Sequence, residues 1–316
     1  MAERRRTFGI NLIHPIGLHL DAPANSVDLM LSEKLDRMKE AGADFVELAP
    51  HRLGAIVGGE LESRRTRTLA RLMADSGLDC TVHASDRLNL MEVERHALQR
   101  RICENTLRFA AEVGAGVVVY HAGQRHAVRD VRHSLRYQLA LERRALWDMG
   151  DIAAELGVTI AVENSYPEPL ILTGAMYAYG AWLAELADQI YAVDHPAVRA
   201  CLDVGHAHLA AGYFGYDYLR ECQVLTHAVH HLHVHDNLGA ADVRAEPEHA
   251  ERWTQGVGDL HWPPGMGTAP IAETLALPSL ARVQTVCLEL SDETYHTARQ
   301  ALRTLRDQYN ETGVKV

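Results

Sequence analysis

Paired cysteines are missing from this sequence. The five it has (Cys80, Cys103, Cys201, Cys222 and Cys287) are scattered, odd in number and never spaced Cys-x-x-Cys. That pattern argues against a disulfide framework or a structural zinc knuckle and suits a reducing cytosol. No segment approaches the roughly 20 apolar residues of a transmembrane helix, so no membrane partner is expected. Met1 to Thr7 is polar and basic and no long apolar run follows it, unlike a secretory signal peptide; the expected location is cytoplasmic. Positive charge is also scarce. A net charge of -11 argues against a broad nucleic-acid-binding face, although a local basic groove can sit on an acidic protein. Finally, no glycine-rich phosphate fingerprint follows the first predicted strand, which counts against a doubly wound open sheet.

Length, apolar content and histidine are what the chain has. Its 316 residues are 47% hydrophobic, enough for a large core, and 19 of them are histidines. Short β-branched runs alternate with longer amphipathic stretches. The runs are Thr7–Ile13, Phe45–Ala49, Cys80–His83, Val117–His121, Val158–Glu163, Val198–Asp203, His230–His235 and Thr285–Leu290. Helical stretches such as Leu31–Ala41, Glu92–Val113, Leu135–Leu156 and Ala181–Tyr191 lie between them, and Gly42, Gly77, Gly114 and Gly157 stand where helices should stop before a strand. Eight strand–helix units predict a parallel sheet, and eight is the number that closes a (β/α)₈ TIM barrel. We expect one domain over residues 1–316. The long connection Asn237–Gly267 follows the seventh strand, on the face where such barrels build their active sites.

Strand after strand ends in a side chain that can bind a metal: His83, His121, Glu163, Asp203, the pair His233 and His235, and Glu289. In the seventh strand His231, His233 and His235 share one face, with Leu232 and Val234 opposite; in the sixth Cys201 and Asp203 share a face, and in the eighth Thr285, Cys287 and Glu289 do. The apolar faces should meet the helices, so the polar faces should point to the barrel axis. A carboxylate delivered there needs a counter-charge, and a metal ion supplies one. Asp203-Val-Gly-His206 and Asp259-Leu-His261 each add a carboxylate–imidazole pair, the second followed by Pro263, Pro264 and Gly265. Such mixed sets suit Zn, Mn, Fe or Co better than Ca or Mg. A single histidine at a strand end is more often structural than a ligand, but accidents would not all fall on one face. His14, His51, His126, His133, His195, His208, His227, His249 and His296 are expected on the surface, in helices or behind the site. Trp147 and Trp182 read as core or helix packing, and Trp262, beside His261, as a wall of the substrate pocket or an interface residue.

The fragments His83-Ala-Ser, Tyr120-His121-Ala-Gly, Val162-Glu163-Asn164, Cys201-Leu-Asp203-Val-Gly-His206, His233-Val-His-Asp236, Asp259-Leu-His261-Trp-Pro-Pro-Gly and Leu288-Glu289 follow one another from the third strand to the eighth. In order and spacing the sequence resembles the xylose isomerase-like TIM-barrel superfamily. That group includes sugar and sugar-phosphate isomerases and epimerases and the endonuclease IV branch of DNA repair. For the isomerases the resemblance implies one divalent metal held by Glu163, Asp203, His233 and Glu289. It also implies proton exchange at the substrate carbon by Glu163 and Glu289, and substrate contact by His206. For the repair branch it implies three zinc ions on His83, His121, Glu163, Asp203, His206, His233, Asp259, His261 and Glu289. All nine residue types are present, so one to three ions are expected. Val-Gly-His after Asp203 and Pro-Pro-Gly after His261 look like the isomerases; His-Ala-Ser-Asp-Arg-Leu-Asn-Leu from His83 looks like the repair enzymes. Beyond the modest cluster Arg52, Arg64, Arg65 and Arg67, no basic, aromatic-studded insertion able to enter a duplex is present. The expected function is a metal-dependent sugar or sugar-phosphate isomerase or epimerase with a small carbohydrate substrate and no nucleic-acid partner. The alternatives are metal-assisted hydrolysis of abasic DNA, another lyase, hydrolase or oxidase on the same barrel, and a non-catalytic binding barrel. Homo-oligomer formation stays open.

Overall fold

A computed structural model describes residues 6–12, 24–244 and 249–312. Eight parallel strands close a barrel in chain order: β1 (Thr7–Asn11), β2 (Phe45–Leu48), β3 (Asp79–His83), β4 (Val117–His121), β5 (Thr159–Glu163), β6 (Val198–Asp203), β7 (Val229–Val234) and β8 (Thr285–Leu288). Each pairs with the next, and β8 returns to β1 through Thr7 opposite Thr285 and Ile10 opposite Leu288. Helices α1 (Ala24–Ala41), α2 (Ser63–Ser76), α3 (His96–Val113), α4 (Leu135–Leu156), α5 (Leu183–Val193), α6 (Val204–Phe214), α7 (Tyr218–Leu225), α8 (Ile271–Leu275) and α9 (Ala298–Glu311) pack around it. Gly114 and Gly157 end α3 and α4 in the left-handed conformation, at φ 80° and 71°.

The two-residue period of the strands divides the apolar side chains between two places. Ile10, Val46, Val82, Val118, Ile160, Leu202, Leu232 and Val286 face the helices in one continuous core. Each fully buried side chain of this kind contributes about 1.5–3 kcal/mol. Val117, Val119, Ala161 and Cys201 form a separate small cluster facing the axis. Gly9 leaves room for Phe45 in that interior, because a Cβ there would lie 2.3 Å from the Phe45 ring.

Several boundaries differ from the sequence expectation. The helix expected from Glu92 begins at His96, because Asn89–Arg95 makes its own turn: Asn89 N–H donates to Gln99 Oε1 at 3.1 Å and Arg95 pairs with Glu92. The helix expected over Ala181–Tyr191 runs two residues later, and β8 stops one residue short of Glu289. Trp147 and Trp182 are not core residues; they are 40% and 36% exposed, against His195 and Phe214 respectively. The connection after β7 is not wholly irregular, since it holds a helix over His249–Gln255. Ile13, His14 and the His249 side chain lie outside the described residues. Among the described residues no helix is long and apolar enough to cross a membrane.

Candidate metal centre

The C-terminal strand ends converge, and Glu163 stands where they meet. It closes β5, in register with His121 of β4 and Cys201 of β6. Its Oε2 lies 3.4 Å from His83 Nε2 and 3.2 Å from His121 Nε2. Its Oε1 lies 3.2 Å from His233 Nδ1 and 3.5 Å from His206 Nδ1. Asp203 ends β6 and caps α6: its Oδ1 accepts the His206 N–H at 2.6 Å and lies 3.1 Å from His235 Nε2. Asn164 ties the two strand ends together, donating to the Asp203 carbonyl at 3.0 Å and accepting the Asp203 N–H at 2.7 Å. Glu289 lies 3.4 Å from His233 Nδ1 and 3.6 Å from His261 Nδ1. Asp259 faces His261, His235 and His206 at 2.8, 3.4 and 3.5 Å.

Four sets at this mouth have donor atoms within 4.8 Å of one another: Glu163, Asp203, His233 and Glu289; His83, Glu163 and His233; His83, Asp86 and His121; His206, His235, Asp259 and His261. Several imidazoles are already turned for ligation. His83 Nδ1 donates to the Ala84 carbonyl at 2.7 Å and His206 Nδ1 to the Asn164 carbonyl at 3.0 Å. A carbonyl only accepts, so in the neutral ring each Nε2 keeps its lone pair for the cluster. Glu163 Oε2, Asp203 Oδ2 and Asp259 Oδ1 are buried without a hydrogen-bond partner among the described residues. Orphaned buried carboxylate oxygens are costly. Here they approach imidazoles to ion-pair distance without hydrogen-bond geometry, as donor atoms do when they share a central cation. The donor set therefore fits a divalent metal.

Burial opposes every charge here, and the facing groups decide which charges survive. The imidazoles outweigh burial at Glu163, Glu47 and Asp259 and hold all three well below the usual carboxylate range. At Glu289 burial prevails and raises the carboxyl. Burial alone would lower the histidines too, yet Glu163 brings His83 up to about 9 and Asp259 brings His261 up to about 9. In the metal-free protein these rings hold protons that a cation must displace.

The loop after β7 is built to support this cluster. The Asp236 carboxylate accepts backbone N–H groups from Asn237, Gly265, Gly267 and Ala269, all at 2.9 Å. His261 sits at φ 47°, an unusual conformation for a non-glycine residue. Such strain gathers at functional sites, and here it points the ring at Asp259. Gly205 permits a close approach: a Cβ there would lie 2.1 Å from His235 Cε1.

A cavity of about 250 Å³ opens over the cluster, lined by His83, Asp86, Arg87, His121, Gln124, Glu163, Tyr166, Glu168, His206, Asp259, His261 and Glu289. Seven of the nine positions singled out from the sequence line it, and the other two, Asp203 and His233, share a donor set with Glu163 and Glu289 without lining the cavity. Trp262 does not line the cavity. Its backbone is tied to Asp236 in both directions, at 2.7 and 3.1 Å, and its buried ring packs 5.7 Å from Trp253. His208, His133 and His195 bond or stack elsewhere, with Thr268, Tyr137 and Asp151. Glu47, Asp86 and Tyr166 were not expected at the site, and His235, metal-capable by its strand-end position but outside the ligand sets the resemblance implies, joins His206, Asp259 and His261. Glu47 carries a legible signal: it shares a strand face with Phe45, so the alternation that selected Glu289 also points it inward.

A family model described as "xylose isomerase-like TIM barrel" matches residues 35–315. No curated protein matches the chain. Among solved structures it is similar to a D-tagatose 3-epimerase-like protein (18% identity, TM-score 0.69, covering 96% of this chain and 98% of the other). It is also similar to a xylose isomerase-like TIM barrel protein from Mycobacterium smegmatis in complex with magnesium (16%, 0.67, 97% of each chain). A third likeness is to 3-keto-D-glucoside 4-epimerase from E. coli (17%, 0.60, 96% and 100%). At these identities the likeness carries the fold, and the match to the family model carries the family. The chain belongs to the xylose isomerase-like TIM-barrel family.

Proposed function

We propose that this protein is a divalent-metal-dependent sugar or sugar-phosphate isomerase or epimerase that moves a proton at the carbon beside a carbonyl. One observation carries the reading: Glu163 and Glu289 both line the cavity and share one donor set with Asp203 and His233. Two strands separate β5 from β8 around the barrel, so the two carboxylates reach the cavity from different sides. Inversion at carbon needs that, with one carboxylate taking the proton and the other returning it. A bound cation supplies Lewis acidity toward adjacent substrate oxygens. His206 also lines the cavity, where it can contact substrate. The mixed carboxylate–imidazole set suits Zn, Mn, Fe or Co. The epimerases among the similar structures weigh in the same direction. The test is isotope exchange. With ketoses and ketose phosphates in deuterated water, the metal-loaded protein should wash deuterium into the carbon beside the carbonyl, and Glu289→Gln should abolish this. Metal-loaded, folded protein that exchanges no sugar in the panel would remove the reading.

The completeness of the nine-residue set favours a second reading, metal-assisted phosphodiester hydrolysis of abasic DNA. Its test is nicking of an abasic duplex at low salt, where phosphate contacts are strongest. Efficient cleavage 5′ to the lesion would put this reading first.

A further inference from the structure

A second cavity, of about 440 Å³, adjoins the one over the cluster. The two share Asp86, Arg87, His121 and Gln124 in their linings, so a ligand reaching from one into the other passes Arg87. The wall that carries Arg87 is firmly built. Asn89 Nδ2 donates to the Gln124 carbonyl at 2.7 Å, and the Gln124 N–H donates back to Asn89 Oδ1 at 3.2 Å, which clamps the turn after β3 to the loop after β4. Leu88 and Leu90 are buried beneath that turn, and the Leu90 N–H donates to the Tyr120 hydroxyl oxygen at 3.0 Å.

The carboxylates and guanidinium groups lining the second cavity are matched in pairs, except at Arg87. Arg95 Nε lies 2.7 Å from Glu92 Oε1, Arg129 Nε lies 3.1 Å from Asp130 Oδ1, and Asp86 Oδ2 lies 3.3 Å from Arg52. Arg87 is exposed and has no ion pair or side-chain hydrogen bond among the described residues. A guanidinium left without a carboxylate presents a planar fork of N–H donors that matches a phosphate or carboxylate. This one stands between the cavity that holds the donor sets and a larger, polar one. We infer that the second cavity is an anion subsite, in which Arg87 takes the terminal phosphate or carboxylate of a sugar whose carbonyl end lies over the donor sets. The inference rests on the isomerase reading above and narrows its substrate to a sugar charged at the end remote from the reacting carbon.

The test is calorimetric titration of metal-loaded, full-length protein at low salt. The probes are unreactive pentitols and hexitols, each as the free alcohol, as its terminal phosphate and as the matching aldonate. Wild-type protein should bind a charged form about tenfold more tightly than its parent alcohol, the scale of one charge-assisted contact left partly in water. Whether the phosphate or the aldonate gains more identifies the anion, and added salt should narrow the gap. Arg87→Gln should erase the preference without weakening the neutral alcohol, and Arg87→Lys should keep part of it. Arg136→Gln removes the same charge from the exposed side of α4, outside both cavities, and should bind as the wild type does. Equal affinity for charged and neutral forms in the wild type overturns the inference, as does failure of every probe to bind. A preference that survives Arg87→Gln also overturns it, because the anion would then sit on the metal, and so does an equal loss in Arg136→Gln. Arg87-dependent binding without deuterium exchange into any ketose or ketose phosphate removes the isomerase reading and leaves the anion subsite standing.

Discussion

Glu163→Gln is the most telling substitution at the cluster. The carboxylate approaches four imidazoles at 3.2 to 3.5 Å and belongs to two of the donor sets, so it joins the His83 and His121 side to the Asp203, His233 and Glu289 side. Glutamine keeps the shape, removes the charge and turns an amide N–H₂ toward rings that need an acceptor or a cation. Removing one charged partner from a buried set costs about 3–5 kcal/mol. At about 1.4 kcal/mol per tenfold, metal affinity should fall by roughly two to three and a half decades. Asp259→Asn is the comparison: it faces His206, His235 and His261 and shares no donor set with His83 or His121. The assay is elemental mass spectrometry after dialysis, together with chelator-competition titration of Zn²⁺ and Mn²⁺. Glu163→Gln should lose the ion held by Glu163, Asp203, His233 and Glu289 on dialysis, whereas Asp259→Asn should keep it. Full metal content and wild-type affinity in Glu163→Gln would refute the assignment of Glu163 as the shared ligand.

Metal binding should release protons at neutral pH, because His83 and His261 are brought up to about 9 in the metal-free protein and must deprotonate to ligate. Affinity should therefore rise with pH toward about 9, and calorimetry in buffers of different ionisation enthalpy should detect the released protons; none released would contradict the geometry. The same raised values set the stability of stripped protein. The contribution of His83 and His261 is complete below their ordinary value of 6.5 and is lost as pH rises through about 9, so chelator-treated protein should melt at progressively lower temperature across that interval. Gly205→Ala should drive a methyl group into His235 and cost about 1–3 kcal/mol as overpacking. A thermal melt identical to the wild type would show that α6 can shift to absorb it.

The (β/α)₈ barrel is legible in the sequence because its signals are local. Alternation along a strand decides which side chains face the axis, and it places Asp203, His233 and Glu289 there correctly. A parallel strand buries its charged end only where something neutralises it, so an apolar strand ending in a lone carboxylate marks a site by its composition alone. Glu47 obeys the same alternation, but its partners Thr81, His231 and His233 come from other strands and meet it only when the barrel closes. Asp236 reads as one more acidic residue of a motif, and the fold makes it the anchor of a loop whose amides lie about thirty positions downstream. Trp262 reads as a pocket wall, and a two-way backbone pairing puts its ring against Trp253 instead. Residue type and strand alternation set which chemical groups reach the mouth of the barrel. Closure and register decided which of those groups touch, which nitrogen of each ring is free, and how the donor sets share Glu163. Those facts are distances between strands remote in sequence, and no local pattern carries them.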